Sequence, residues 1–125
     1  MKDKPKILVV EDETDVVEIL KMALIQSGYE VDCAYDGEEA LEKVKSFKPD
    51  LILLDLMLPK IDGGSVNLKL KENPETAHIP VIVITGKGNL KELLHLDEGI
   101  TIAGYYEKPI KVKFLLEKIK TFFEK

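Results

Sequence analysis

The stretch Pro49-Asp50-Leu51-Ile52-Leu53-Leu54-Asp55-Leu56-Met57-Leu58-Pro59 decides the fold of this chain. Four consecutive apolar residues, Leu51 to Leu54, between bounding prolines read as a strand buried on both faces of a parallel sheet. Asp55 closes that strand, so its carboxylate stands at the carboxyl end of the sheet, where open α/β sheets keep their ligand sites. An ionised carboxylate beside a core is costly unless a cation meets it. Four side chains elsewhere are candidates for the same neighbourhood: the acidic pair Glu11 and Asp12, the hydroxyl of Thr85 and the ammonium of Lys108.

Working outward, apolar runs alternate with amphipathic segments along the whole chain. Strands are predicted at Lys6 to Val10, about Glu30 to Ala34, Leu51 to Asp55, Val81 to Thr85 and about Ile102 to Glu107. A first helix starts near Asp15, with Val16, Ile19, Leu20, Ala23 and Leu24 at helical spacing and Gly28 in the position that closes a helix. A second starts near Gly37, uses Ala40, Leu41, Val44 and Phe47, and must finish before Pro49. Asp62 has the character of an N-cap for a third helix carrying Val66, Leu68 and Leu70 up to Asn73-Pro74. A fourth covers roughly 89–98, and a last one, about Val112 to Phe123, puts Phe114, Leu115, Ile119 and Phe122 on one face. Repeated βα units with right-handed crossovers require an α/β fold: a doubly wound five-stranded parallel sheet, expected in the order 2-1-3-4-5 with helices on both faces. Residues 1–125 read as one domain, and that order gathers Glu11, Asp12, Asp55, Thr85 and Lys108 along one edge.

Composition narrows the function classes. The 45% hydrophobic and 33% charged residues are ordinary for a globular domain, and no apolar run is long enough to span a bilayer. Met1 to Lys6 carries charge but no h-region follows before Glu11 and Asp12, so a signal peptide is not expected and the reading is cytoplasmic. Cys33 is the lone cysteine and, near Val31 and Ala34, reads as a packed strand thiol in a reducing compartment. A net charge of −5 with a pI near 5.1 argues against direct nucleic-acid binding, which needs basic clusters. His78 and His95 have no metal-ligand partner at helical or hairpin spacing.

The chemistry of the edge follows from charge. Three carboxylates around one small cavity repel, and one must take up a proton unless a cation is present. Mg²⁺ fits best, because it needs only a few carboxylates and keeps several waters. Glu11 and Asp12 alone could equally be the acidic first turn of a helix. A hydroxyl at Thr85 and an ammonium at Lys108 complete a pocket suited to a tetrahedral dianion shared between metal and cation. Lys108 precedes Pro109, and a cis bond there would fix how the lysine points.

The motifs Val9-Val10-Glu11-Asp12, Asp50 through Pro59, Ile61-Asp62-Gly63, Ile79 through Thr85 and Lys108-Pro109 together resemble the receiver domain of bacterial two-component response regulators, of the chemotaxis-type single-domain kind with a flavodoxin-like fold. The resemblance implies that Asp55 is the phosphoacceptor, taking a phosphoryl group from a sensor histidine kinase or a phosphotransfer protein. It implies Mg²⁺ held by Glu11, Asp12, Asp55 and the backbone carbonyl of Met57, with Thr85 and Lys108 on phosphoryl oxygens. It implies phosphorelay signalling rather than an enzyme: a switch whose only chemistry is its own phosphotransfer and dephosphorylation. It further implies that Tyr105 is a switch aromatic reshaping the face made by the helix at 89–98, the fifth strand and the last helix, for a downstream protein target or a homodimer. Tyr106 alternates to the other side of the strand.

The sequence departs from the family pattern at Gly99-Ile100-Thr101-Ile102-Ala103-Gly104-Tyr105, which is longer than usual, and at Gly86-Lys87-Gly88 after Thr85. Two other classes fit the residues less well. A phosphatase working through an aspartyl-phosphate needs a second Asp two residues after the first, where this chain has Met57. A flavin carrier needs a hydroxyl-rich phosphate loop after the first strand, where Glu11-Asp12-Glu13 would repel phosphate.

Overall fold

A computed structural model describes residues 4–86 and 102–124. The helix expected over 89–98, His95, the glycines at 88 and 99 and Lys87 lie outside the described residues. Five strands form one parallel sheet in the order β2-β1-β3-β4-β5: β1 (Lys6–Val10), β2 (Glu30–Ala34), β3 (Leu51–Leu54), β4 (Val81–Thr85) and β5 (Gly104–Glu107). The described helices are α1 (Thr14–Gln26), α2 (Gly37–Phe47), α3 (Gly63–Glu72) and a C-terminal helix (Val112–Glu124). No helix among the described residues is long and apolar enough to cross a membrane.

The β3 strand explains the rest. All four of its residues are buried, and alternation sends Leu51 and Leu53 to one face and Ile52 and Leu54 to the other. Ile52 and Leu54 join Leu8, Val10, Val81 and Val83 beneath α2 and α3. Leu51 and Leu53 join Ile7, Val9 and Ile82 beneath α1 and the C-terminal helix. Full burial of such side chains contributes roughly 1.5–3 kcal/mol each. Cys33 is buried, and burial pushes its thiol above its ordinary value, as a packed and unreactive thiol requires.

Helix ends follow local chemistry. Gly28 adopts φ +99, its amide donates to the Ile25 carbonyl, and the Tyr29 amide donates to Leu24, which is a Schellman closure. Asp36 accepts from the Glu39 amide, and Asp62 from the Ser65 amide at 2.9 Å, so both act as N-caps. Lys48 takes the left-handed conformation at the end of α2, directly before Pro49.

Several expected faces shift. Val17, Leu20 and Leu24 bury the inner stripe of α1, while Ile19 is 57% exposed. Phe114 is likewise exposed, its ring meeting the edge of Tyr106 and the Lys118 ammonium rather than the core. Asn67, not Leu68, is fully buried in α3. The third strand ends at Leu54 with Asp55 just beyond it, and the fifth begins at Gly104 rather than Ile102.

Candidate functional site

The carboxyl ends of β1, β3, β4 and β5 converge. The Glu11 amide donates to Ala34 and the Asp55 amide to Val10, so each carboxylate is seated one residue past its strand by the ladder itself. The Lys108 amide donates to the Thr85 carbonyl at 2.8 Å, extending β4–β5 pairing by one step and fixing the lysine beside them. The Lys108-Pro109 peptide is cis.

Lys108 Nζ lies 2.7 Å from Glu11 Oε1 and 2.8 Å from Asp55 Oδ2, joining residues 97 and 53 positions apart in sequence. Glu11 and Asp55 are only 4% and 5% exposed. Glu11 Oε2 accepts from the Glu13 amide, and Asp55 Oδ1 accepts from the Met57 amide at 3.0 Å. Every oxygen of the buried pair thus has a donor, which burial of charge demands. Asp12 is exposed at the mouth, and carboxylate oxygens of Glu11, Asp12 and Asp55 lie within 4.8 Å of one another.

The electrostatics are those of a site short of positive charge. Burial pushes the Glu11 carboxyl above its ordinary value, and hydrogen bonds from Lys108 and the Glu13 amide only partly pull it back. Burial draws the Lys108 ammonium down, but hydrogen bonds to Asp55 and Glu11 together outweigh it and hold the group above its ordinary value. Thr85 Oγ1 is buried with no hydrogen-bond partner among the described residues, an unused donor on the neighbouring strand.

Of the residues singled out by sequence, the structure brings Glu11, Asp55 and Lys108 into direct contact, with Asp12 beside them. Thr85 is joined to Lys108 through its backbone. Tyr105 is half-buried opposite Val83 and packs on the α2–α3 side, whereas Tyr106 packs on the side of the C-terminal helix. Met57 meets Asp55 through its amide, and the residue is 64% exposed.

Two contributors were given no site role from the sequence. Glu13 lies 3.6 Å from the Lys108 ammonium; its place next to the acidic pair is the only signal that marked it. Gly63 packs so closely on the Asp55 carbonyl and the Leu56 backbone that a β-carbon would have no room. It belongs to the Ile61-Asp62-Gly63 motif, but nothing in that motif marked its close packing on Asp55.

A doubly wound α/β domain with a lysine-bridged carboxylate pocket at its switch edge is the class this geometry defines. Residues 7–120 match the response regulator receiver domain. The chain is 39% identical over 121 residues to the alkaline phosphatase synthesis transcriptional regulatory protein PhoP of Bacillus subtilis, covering 96% of this chain and 49% of that protein. It is 33% identical over 122 residues to the DNA-binding dual master transcriptional regulator RpaA of Synechocystis, covering 97% of this chain and 50% of that one. The chain therefore spans about half the length of these curated relatives. A crystal structure of a CheY-like response regulator receiver domain protein from Methanospirillum hungatei superposes with a TM-score of 0.88 at 30% identity, over 98% of this chain and 95% of the other. This chain belongs to the receiver domain family of two-component response regulators. Members of that family are phosphoacceptor switches that bind Mg²⁺ in an acidic pocket and interact with histidine kinases.

Proposed function

We propose that this domain takes a phosphoryl group onto Asp55 from a phosphohistidine of a sensor kinase or phosphotransfer protein, in a Mg²⁺-dependent step. The observation that carries the proposal is the Lys108 ammonium bridging two buried carboxylates, with the buried Thr85 hydroxyl, which has no partner among the described residues, on the neighbouring strand. The donor set suits a hard divalent cation: clustered carboxylate oxygens, one raised in pKa by burial and so in need of positive charge. Glu11, Asp12, Asp55 and the Met57 carbonyl would hold Mg²⁺, which when bound neutralises charge on the transferring phosphoryl group.

An Asp55 carboxylate oxygen forms the new O–P bond as the P–N bond to the donor imidazole breaks, the electron pair returning to the imidazole nitrogen. The Met57 amide and Lys108 hold Asp55 in place by one hydrogen bond to each oxygen. Positioning and charge neutralisation are most of what a metaphosphate-like transition state needs. Lys108 then pairs with a phosphoryl oxygen, and Thr85 donates its unused hydroxyl to another.

Movement of Thr85 is relayed to Tyr105, two ladder positions along the neighbouring strand, biasing a two-state output surface. The domain has no catalytic activity beyond its own phosphorylation and dephosphorylation. It acts in the cytoplasm through a downstream protein target or a second copy of itself. Its net charge of −5 disfavours direct contact of this domain with nucleic acid. Incubation with a small-molecule phosphodonor and Mg²⁺ should add one acid-labile phosphoryl group by intact mass. Undiminished labelling of Asp55→Asn would refute the assignment.

A further inference from the structure

The loop joining β3 to α3 is tied to the start of α2. The first amides of a helix have no acceptor within it; here the Asp36 carboxylate takes the Glu39 amide, and the Gly37 amide donates to the Pro59 carbonyl of the loop at 3.3 Å. Lys60 adopts φ +67, with its ammonium 3.6 Å from the Asp36 carboxylate. Leu58 and Ile61 pack on the core cluster that includes Ala40 and Val44 of α2. Gly37 itself is buried against the loop: a β-carbon there would stand 2.6 Å from the Ile61 β-carbon and nearer still to the Ile61 carbonyl oxygen. Those atoms are main chain or fixed to it, so the loop backbone would have to move. Gly37 does not have a left-handed backbone, unlike Gly28, and glycine is a poor helix former, so the missing side chain is what this position uses.

The same loop carries Met57, whose amide holds Asp55 Oδ1 at 3.0 Å. The sheet does not fix that amide, because β3 ends at Leu54, and the exposed Met57 side chain does not fix it either. It is placed by the backbone on its two sides. On one side the Asp55 amide is anchored to the Val10 carbonyl, and on the other Pro59 to Ile61 rest on the first turn of α2. We propose that Gly37 is a positioning residue for the phosphoacceptor. By admitting the Pro59-to-Ile61 backbone, it sets the Met57 amide on Asp55 and the Met57 carbonyl toward the metal. The metal half rests on the Mg²⁺ reading above; the hydrogen bond to Asp55 does not. Displacing the loop by about 1 Å is enough to matter, since misplacement of that size near a reacting group costs on the order of a hundredfold.

The test is amide hydrogen exchange without metal, followed by calorimetric Mg²⁺ titration, on the full chain and its variants. Gly37→Ala should speed exchange of the Met57 amide by about tenfold or more relative to the Val9 amide of β1, which reports global opening. It should weaken Mg²⁺ binding by a similar factor. Val44→Ala is the control: it empties a buried site two turns further along α2, lowers stability and leaves the Gly37 contact intact. Its Met57 exchange, on the same relative scale, and its Mg²⁺ affinity should both stay within about twofold of the parent. Unchanged Met57 exchange in Gly37→Ala would overturn the proposal, and so would an equal effect of Val44→Ala, the mark of a merely structural role. Should Gly37→Ala fail to fold, Ile61→Ala, which loosens the loop from the α2 cluster, takes its place: faster relative exchange at Met57 supports the proposal and unchanged exchange overturns it. Mg²⁺ titration of the unaltered chain is the separate arm. Its failure removes the metal reading and leaves Met57 exchange to decide alone. Binding by the parent with undiminished affinity in Gly37→Ala would overturn the metal half.

Discussion

Replacing Lys108 by Met removes one ammonium and keeps most of the aliphatic stem. The charge it removes lies 2.7 Å from Glu11 and 2.8 Å from Asp55, whose side chains are only 5% and 6% exposed. Breaking a buried pair from one side costs about 3–5 kcal/mol, because the remaining charge has no partner. The Lys108 side chain keeps 23% of its surface in solvent, so water relieves part of the loss and the lower end, about 3 kcal/mol, applies. For a domain of this size that corresponds to a fall in Tm of roughly 10 °C.

The loss should depend on pH with a definite sign. Burial already raises the Glu11 carboxyl above its ordinary 4.5, and losing the ammonium raises it further. A group raised in the folded state stabilises fully below its unfolded value and loses that contribution as pH rises through the folded value. The deficit of the variant is therefore smallest in acid and grows toward neutral pH. Mg²⁺ should restore part of it at neutral pH, and an equal ionic strength of NaCl should not. Urea unfolding followed by circular dichroism, at acid and neutral pH with each salt, measures all of this. A variant as stable as the parent at neutral pH would refute the reasoning.

Thr85→Val should leave stability unchanged or raise it by up to about 1 kcal/mol, since the hydroxyl lost is buried and has no partner among the described residues, yet slow phosphorylation in a timed mass assay. Gly63→Ala should destabilise by about 1–3 kcal/mol in urea titration, because the new methyl meets the Asp55 carbonyl. Asp12→Ala should weaken Mg²⁺ binding at least tenfold by calorimetry while leaving Tm without metal within about 2 °C, as Asp12 is exposed. Asn67→Leu should stabilise the fold by about 1–3 kcal/mol in urea, because both polar atoms of this buried carboxamide lack partners among the described residues.

The strand runs made the architecture legible. Leu51 to Leu54 and Val81 to Ile84 are apolar without alternation, and only a sheet covered on both faces uses such runs, so order and layers followed from connection rules. The site was legible for the same reason: strand ends carry Glu11, Asp55, Thr85 and Lys108, and parallel strands align their ends. Details of helix orientation were less visible. Ile19 and Phe114 match the apolar period of their helices, but the rotation of each helix on the sheet is set by neighbours distant in sequence. Close backbone approach, as at Gly63, leaves no mark in hydropathy at all. Polar atoms without a partner among the described residues, as in Asn67 and Thr85, become visible only once their surroundings are known.

The most direct measurement is the location of the acyl phosphate after reaction with a phosphodonor and Mg²⁺. Borohydride reduction of an aspartyl phosphate followed by peptide mapping marks the modified residue. A single reduced position, 55, is expected, formed only when divalent cation is present. Modification at another carboxylate, or at Asp55 to the same extent after chelation of the metal, would contradict it.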